Sequence, residues 1–329
     1  LKTLLLAYYH PVVFDLALSF KKIFHDVHIC ATNDLKDNYG GVSEVQARCK
    51  RLGLHFMPLM AAAMGIKSKK YDLVGVDGVF HGDSVLMDSC EGGKVPFFCI
   101  NGYPHNRDEP SKNILSLSWF LPQFQYRQSY PHEVHVKELN WKRIAENGKD
   151  DKQKNVFVFY PEFSQLKNNI GLPQRPALPT KLVSFIHRFE ECNENSFKVF
   201  ERVSEAVGGI ENYTSLSQIE VWKKLREAKA LVHLKHGDCP GIAVLEAMLL
   251  GTPPVVMKDF VLASNNQEVL IDGQSAMVCD SVEEMIERIN STEANHLSLR
   301  SSLHAKMITD FPRQQRKLKS FFERCISEA

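Results

Sequence analysis

Two carboxylates frame the stretch best suited to chemistry. Asp238 and Glu246 stand eight positions apart, and Gly237, Pro240 and Gly241 lie beside the first of them. Upstream, Leu231, Val232 and Leu234 read as a short buried strand. Downstream, 242–250 reads as an apolar helix that Gly251 ends ahead of a Pro-Pro pair. A strand, a turn-rich loop over 235–241 and a helix start make an anion-binding arrangement. The first helical N–H groups have no partner within the helix, and the helix dipole adds partial positive charge there. Carboxylates that accept from hydroxyls, flanking amides that donate to phosphate, suit a ligand such as a nucleotide-sugar. The bland reading stands beside this one: strand–loop–helix units with a glycine are common in α/β proteins, and Glu246 could be a satisfied structural group.

The rest of the chain alternates strands with helices. Strands are expected at 3–9, 27–31, 54–59, 72–76, 95–100, 113–119 and 155–160, with 133–139 a further candidate. In the second half they are expected at 181–186, 231–234, 254–257 and 276–279. Helices are expected at 14–24, 42–52, 195–207, 216–228 and 242–250. Another opens at Ser281, with Glu284 three positions on as in a capping box. The last, near 312–327, lines up Leu318, Phe321, Phe322 and Cys325 on one side. Strands separated by helices imply parallel sheets with crossover connections. The fold class expected is α/β: two Rossmann-like domains with parallel sheets facing across a cleft. The run 171–179 holds three prolines and one glycine and reads as a linker. It sets the expected domains at 1–175 and 176–329, with the last helix able to pack back on the first.

Ligands of such sheets lie beyond the carboxyl ends of the strands. Polar clusters follow three of those ends: His10 after the first, Asp77 with His81 and Asp83 after the fourth, and Asn101 to Asn106, with His105, after the fifth. Asn, Gly and Pro also serve simply to turn the chain. Gly40-Gly41 could be a phosphate loop or the entry to a helix.

Composition excludes several classes. The chain has 329 residues, enough for two domains, with 44% apolar and 24% charged residues and a net charge of +1. That balance is not that of a strongly basic nucleic-acid binder. Eight cysteines are scattered without a CxxC pair, which speaks against a zinc site and for a reducing, cytoplasmic setting. No apolar run is long enough to span a membrane, the apolar start reads as a strand rather than a signal peptide, and association with a membrane surface stays open.

The stretch GDCPGIAVLEAMLLGTPPVV resembles the signature of retaining glycosyltransferases of the GT-B fold, particularly glycosyltransferase family four. That signature has an acid, seven residues, a Glu followed by Ala-Met, then Gly-Thr-Pro. Here these are Asp238, Glu246, Ala247-Met248 and Gly251-Thr252-Pro253. EVLIDG, residues 268–273, is similar to the family's downstream segment, and Phe185 to Phe189 (FIHRF) to its strand-end arginine segment. The resemblance implies that Glu246 binds ribose hydroxyls and that Asp238 lies near the donor sugar. It implies that the amides of Cys239, Pro240 (its carbonyl only, since proline has no N–H), Gly241 and Ile242 line the sugar or diphosphate, and that Arg188 neutralises the diphosphate. His105 and His10 are the candidates contributed by the first half. No cofactor is implied; the donor is a nucleotide-sugar, with UDP or GDP expected.

Three departures stand out. Asp238 replaces the family's first Glu. The lysine that usually follows the arginine is missing from an acidic stretch, with Lys198 on the next helix as substitute. The usual Gly-Gly loop after the first strand reads His10-Pro11-Val12. No Asp-x-Asp occurs, in keeping with a metal-independent reaction. The resemblance therefore implies retaining sugar transfer to an unidentified acceptor: a glycan, a lipid-linked saccharide, a protein or a modified base. The rivals are a sugar-nucleotide epimerase of the same fold and a degenerate, non-catalytic binding or scaffold subunit.

Overall fold

The computed structural model of the chain describes residues 1–8, 12–32, 40–77, 84–101, 113–116, 155–168, 171–185, 194–214, 216–234, 242–263 and 267–327. The described residues form two compact units. One draws on Leu1–Ser118, Ala145–Ser164 and Asp310–Ala329, the other on Gln165–Thr309.

In the first unit the opening apolar run is β1 (Thr3–Ala7), whose Leu4, Leu5, Leu6 and Ala7 are fully buried. A strand apolar on both faces needs partners on both edges and cover on both faces. β1 has them: it pairs in parallel with β2 (Asp26–Ala31) and β4 (Leu73–Asp77), setting Leu5 opposite His28 and Val74. With β3 (His55–Pro58), β5 (Phe97–Asn101), β6 (Asn113–Ser116) and β7 (Asn155–Val158), the order is β3-β2-β1-β4-β5-β6-β7 and every pairing is parallel. The helices α1 (Val13–Phe20), α2 (Val42–Arg51), α3 (Leu59–Lys67) and α4 (Ser84–Gly93) lie between successive strands. The third strand stops one residue short of expectation. Pro58 is extended (ψ 149°), and Leu59 already opens α3. Gly41, at φ 102°, is the N-cap of α2, a backbone setting that suits glycine. The stretch 133–139 lies outside the described residues.

The last helix, α12 (Phe311–Ser327), belongs to this unit, after α5 (Ser164–Lys167) and the helices of the second unit given below. Leu318, Phe321, Phe322 and Cys325 are all buried, as their spacing predicts. Phe322 meets the rings of Phe20, Phe24 and Phe98 at centroid distances of 5.1, 5.1 and 5.6 Å, the first two edge-on. Such pairs add to simple burial. Gln314 exchanges two hydrogen bonds with the backbone of Tyr160 and so fixes the helix along its length.

The second unit is built on β8 (Lys181–Ser184), β9 (Glu211–Asn212), β10 (Ala228–His233), β11 (Pro254–Met257) and β12 (Met277–Cys279). The order is β12-β11-β10-β8-β9, again all parallel. Its helices are α6 (Glu194–Ala206), α7 (Gln218–Glu227), α8 (Ile242–Leu249), α9 (Lys258–Ala263), α10 (Val282–Asn290) and α11 (Glu293–Ile308). The core gathers Val203, Ala230, Val232, Val255, Met277 and Met285 with their neighbours. β9 and α9 have no counterpart in the sequence reading. β9 is only two residues long, too short for a period-2 pattern, and Tyr213 continues it by donating to the Ser184 carbonyl at 2.9 Å. Ser281 caps α10 as expected, accepting from the Glu284 amide at 3.1 Å. The Glu284 carboxylate, however, accepts from the Asp280 amide, one residue before the position a capping box uses. No described helix is long and apolar enough to cross a membrane. The six described cysteines are buried.

Candidate functional site

Sheet order locates the site before any side chain is considered. In the second unit the chain lays β9 on one side of β8 and β10 on the other, so the order reverses between β8 and β10. Open parallel sheets bind ligands beyond the carboxyl ends of the strands at such a reversal. The strand ends there are Ser184 and His233, which lead into 186–193 and 235–241. The two segments that sequence marks for chemistry therefore start from neighbouring strands. Arg188, Asp238, Cys239, Pro240 and Gly241 themselves lie outside the described residues, as do His10 and His105 of the first unit. Glu246, Ile242 and Lys198 are described.

Glu246 sits on the second turn of α8 and is only 4% exposed. A buried carboxylate is tolerated when hydrogen bonds replace its lost hydration. Here α7 supplies them. Trp222 donates its indole N–H to Glu246 Oε1 at 2.8 Å, and Gln218 donates its amide N–H to the same oxygen at 3.1 Å. Gln218 and Trp222 are four residues apart, so one face of α7 presents both. Glu220 helps start that helix by accepting from the Ser217 amide at 2.9 Å. Ser217 thus takes the N-cap position. The two bonds from α7 orient Glu246.

The Gly-Thr-Pro stop proves to be a structural joint. Gly251 has φ +80° and ends α8 in a Schellman motif, with Thr252 N donating to Ala247 O at 2.8 Å and Gly251 N to Met248 O at 3.0 Å. Thr252 is fully buried. Its hydroxyl donates to Leu225 O at 2.5 Å and accepts from Arg175 at 2.7 Å, while the same guanidinium nitrogen of Arg175 donates to Arg226 O at 3.0 Å. Burial and the nearby Arg226 push the Arg175 guanidinium down to about 10. Both carbonyls belong to the last turn of α7, so Thr252 and Arg175 tie the end of α8 to the helix that grips Glu246.

The EVLIDG segment is likewise held from within. Ser275 Oγ donates to Val269 O at 2.8 Å and accepts from Ile271 N at 2.8 Å. Asp272 accepts from Val278 N at 2.9 Å and pairs with Arg288 at 2.7 Å. Burial alone would raise the Asp272 carboxyl, but the Val278 amide and Arg288 outweigh it and hold it below its ordinary value. Arg288 also pairs with Glu293, and that bond, against the opposing effect of burial, holds its guanidinium firmly charged.

Other features near the reversal were not legible as site residues. His233 ends β10 and is buried against Phe260, ring centroids 4.8 Å apart. Ser184 ends β8 fully buried, and its hydroxyl has no partner among the described residues. Lys198 lies exposed on the second turn of α6, and Ile242 is half-buried as the first residue of α8. Among the described residues no group of three or more His, Cys, Asp or Glu side chains is gathered for a metal ion.

No curated protein matches the chain by sequence. The fold has many solved counterparts. Anabaena HepE, crystallised with UDP, superposes at a TM-score of 0.61 with 12% identity, covering 98% of this chain and 100% of its own. Sucrose-phosphate synthase from Thermosynechococcus elongatus superposes at 0.57 with 9% identity and full coverage of both chains. The DNA-modifying enzyme β-glucosyltransferase does so at 0.55 with 11% identity, covering 99% of this chain and 100% of its own. At such identities the likeness establishes a shared fold, the two Rossmann-like units of GT-B. The sequence goes further: the model of glycosyl transferases group 1 matches residues 134–309, more than half the chain and the whole β8/β10 reversal with Glu246, and the protein belongs to that family.

Proposed function

We propose that the protein is a retaining, metal-independent glycosyltransferase that moves a sugar from a nucleotide-sugar to an acceptor. The observation that carries this reading is Glu246: a buried carboxylate, oriented by Trp222 and Gln218, on the helix that follows β10 at the point of strand reversal. Its acceptor capacity fits ribose hydroxyls. In this reading the backbone from Cys239 to Ile242, at the start of α8, faces the diphosphate or sugar, and Asp238 lies by the donor sugar. Arg188, with Lys198 as auxiliary cation, neutralises the leaving group; His105 and His10 are the candidates that the first unit contributes.

The chemistry follows from those charges. The bond from the anomeric carbon to the diphosphate oxygen breaks while a bond to the acceptor oxygen forms on the same face. Negative charge grows on the diphosphate, where a preplaced guanidinium and helix-end amides stabilise it without reorganising. The departing phosphate takes the acceptor proton, so no separate side-chain base is needed. The cytoplasm is the matching compartment, since scattered cysteines without a CxxC pair suit a reducing setting.

Titration calorimetry with UDP-, GDP- and ADP-sugars tests the site, with UDP-sugars first because HepE, which shares the fold, was solved with UDP. Glu246→Gln keeps an acceptor for Trp222 and removes the charge. It should weaken nucleotide-sugar binding by about ten- to a hundred-fold, the value of one or two charge-assisted hydrogen bonds. Unchanged affinity would remove Glu246 from the site. Donor turnover without acceptor would point instead to an epimerase, and no binding of any nucleotide-sugar to a scaffold.

A further inference from the structure

α11 buries one face and leaves the other exposed. Ala294, Leu297, Ser301, His304 and Ala305 are buried, and Ser298 and Ser302 donate to the carbonyls of Gly251 and Leu249 at 2.6 and 3.2 Å. These bonds fix the inner face against the end of α8. The outer face carries Leu299, Leu303 and Met307, which are 68%, 56% and 47% exposed. Their i, i+4, i+8 spacing makes one apolar stripe. At 100° per residue Lys306 falls on one flank of that stripe and Arg300 on the other. They are the only charged residues among the exposed ones of α11.

The positive charge continues along the chain. Residues 295–319 contain Arg300, Lys306, Arg313, Arg316, Lys317 and Lys319 against a single acid, Asp310, although the whole chain carries a net charge of only +1. α12, which belongs to the first unit, carries five cations, all exposed, of which Lys319 pairs with Glu323 at 3.8 Å. Asp272 and Glu293 are paired with Arg288.

We propose that the outer face of α11 docks on an anionic lipid surface, with Leu299, Leu303 and Met307 entering the boundary between headgroups and acyl chains and Arg300 and Lys306 meeting lipid phosphates. A straight apolar stripe bordered on both sides by cations is the geometry of a helix lying in that boundary. A second copy fits the face poorly, because a two-fold contact would bring cationic flanks together. This inference is independent of the nucleotide-sugar site.

The test is co-sedimentation of the full chain with vesicles of phosphatidylcholine alone and of phosphatidylcholine mixed with phosphatidylglycerol, at low and high salt. Binding is expected only with phosphatidylglycerol, and salt should weaken it. The double variant Leu299→Ser/Leu303→Ser should partition at least about ten-fold less well. Arg300→Gln and Lys306→Gln should each lose about five-fold. Equal binding to neutral vesicles, or full binding by the leucine variant, would overturn the proposal. So would a stable dimer in sedimentation velocity that the leucine variant dissociates.

Discussion

Asp15 offers the sharpest physical test of the first unit. It lies in the first turn of α1 and is 1% exposed, and neither carboxyl oxygen has a hydrogen-bond partner among the described residues. Burial pushes its pKa from 3.8 up to about 7, against the opposing pull of Arg48 on α2. In the folded state the carboxyl is therefore protonated through a range where the unfolded chain is ionised. Stability is highest below about pH 4 as far as this group is concerned, and it falls by about 1.4 kcal/mol per unit as pH rises towards 7. The full swing is about 4 kcal/mol. Asp15→Asn keeps the size and polarity of the neutral acid but cannot ionise. Between pH 5.5 and 7 the variant should gain roughly 2 kcal/mol on the wild type, and above pH 7.5 the gap should level off. Differential scanning calorimetry of both proteins at each pH reads this directly, because the difference cancels every other titration. For a unit of this size the change corresponds to roughly 4–8 °C in the melting temperature of the affected transition. A gap that stays constant across the range would refute the argument and show that Asp15 is ionised, with Arg48 carrying its charge.

The remaining predictions concern the joint at the end of α8. Gly251→Ala places a β-carbon at φ +80° and 3.1 Å from Ser298 Oγ, so it should destabilise the second unit by about 1–2 kcal/mol, read as a lower melting temperature. Thr252→Val keeps the shape but leaves the Leu225 carbonyl without its donor and Arg175 without one acceptor. It should cost about 1–3 kcal/mol in urea unfolding. If Thr252 is only a filler, the valine variant will match the wild type.

Much of the architecture was legible because its signals are local. β1, β2 and β4 announce themselves as apolar runs between turn residues, and the stripe of α12 repeats at helical spacing through Leu318, Phe321, Phe322 and Cys325. Gly251 was readable as a helix stop because only a positive φ explains glycine at that place. The partners of Glu246 were not readable. Trp222 and Gln218 lie 24 and 28 positions away, and no periodicity links them to α8. The available clue was a Gln and a Trp four apart on an otherwise charged helix, which marks a polar group facing inward. The burial of Asp15 was not readable either: an acid in a first turn usually faces solvent and the helix dipole, but here α1 is buried on nearly every side. β9 was missed because its pairing partner, not its sequence, makes it a strand.

The family segment divides its labour in a way its sequence conceals. Asp238 and Glu246 look like a matched pair of acids, yet Glu246 owes its orientation to α7, an element outside the segment. What holds α7 in register with α8 is Thr252, whose hydroxyl bridges the Leu225 carbonyl and Arg175. Thr252 can reach them only because Gly251 turns the chain at φ +80°. Arg175, read in sequence as part of a linker, closes the same joint by also donating to Arg226 O. Gly-Thr-Pro is thus a structural joint. It is the fastening that holds α7 against α8, and loosening it would disturb the bonds that Trp222 and Gln218 make to Glu246.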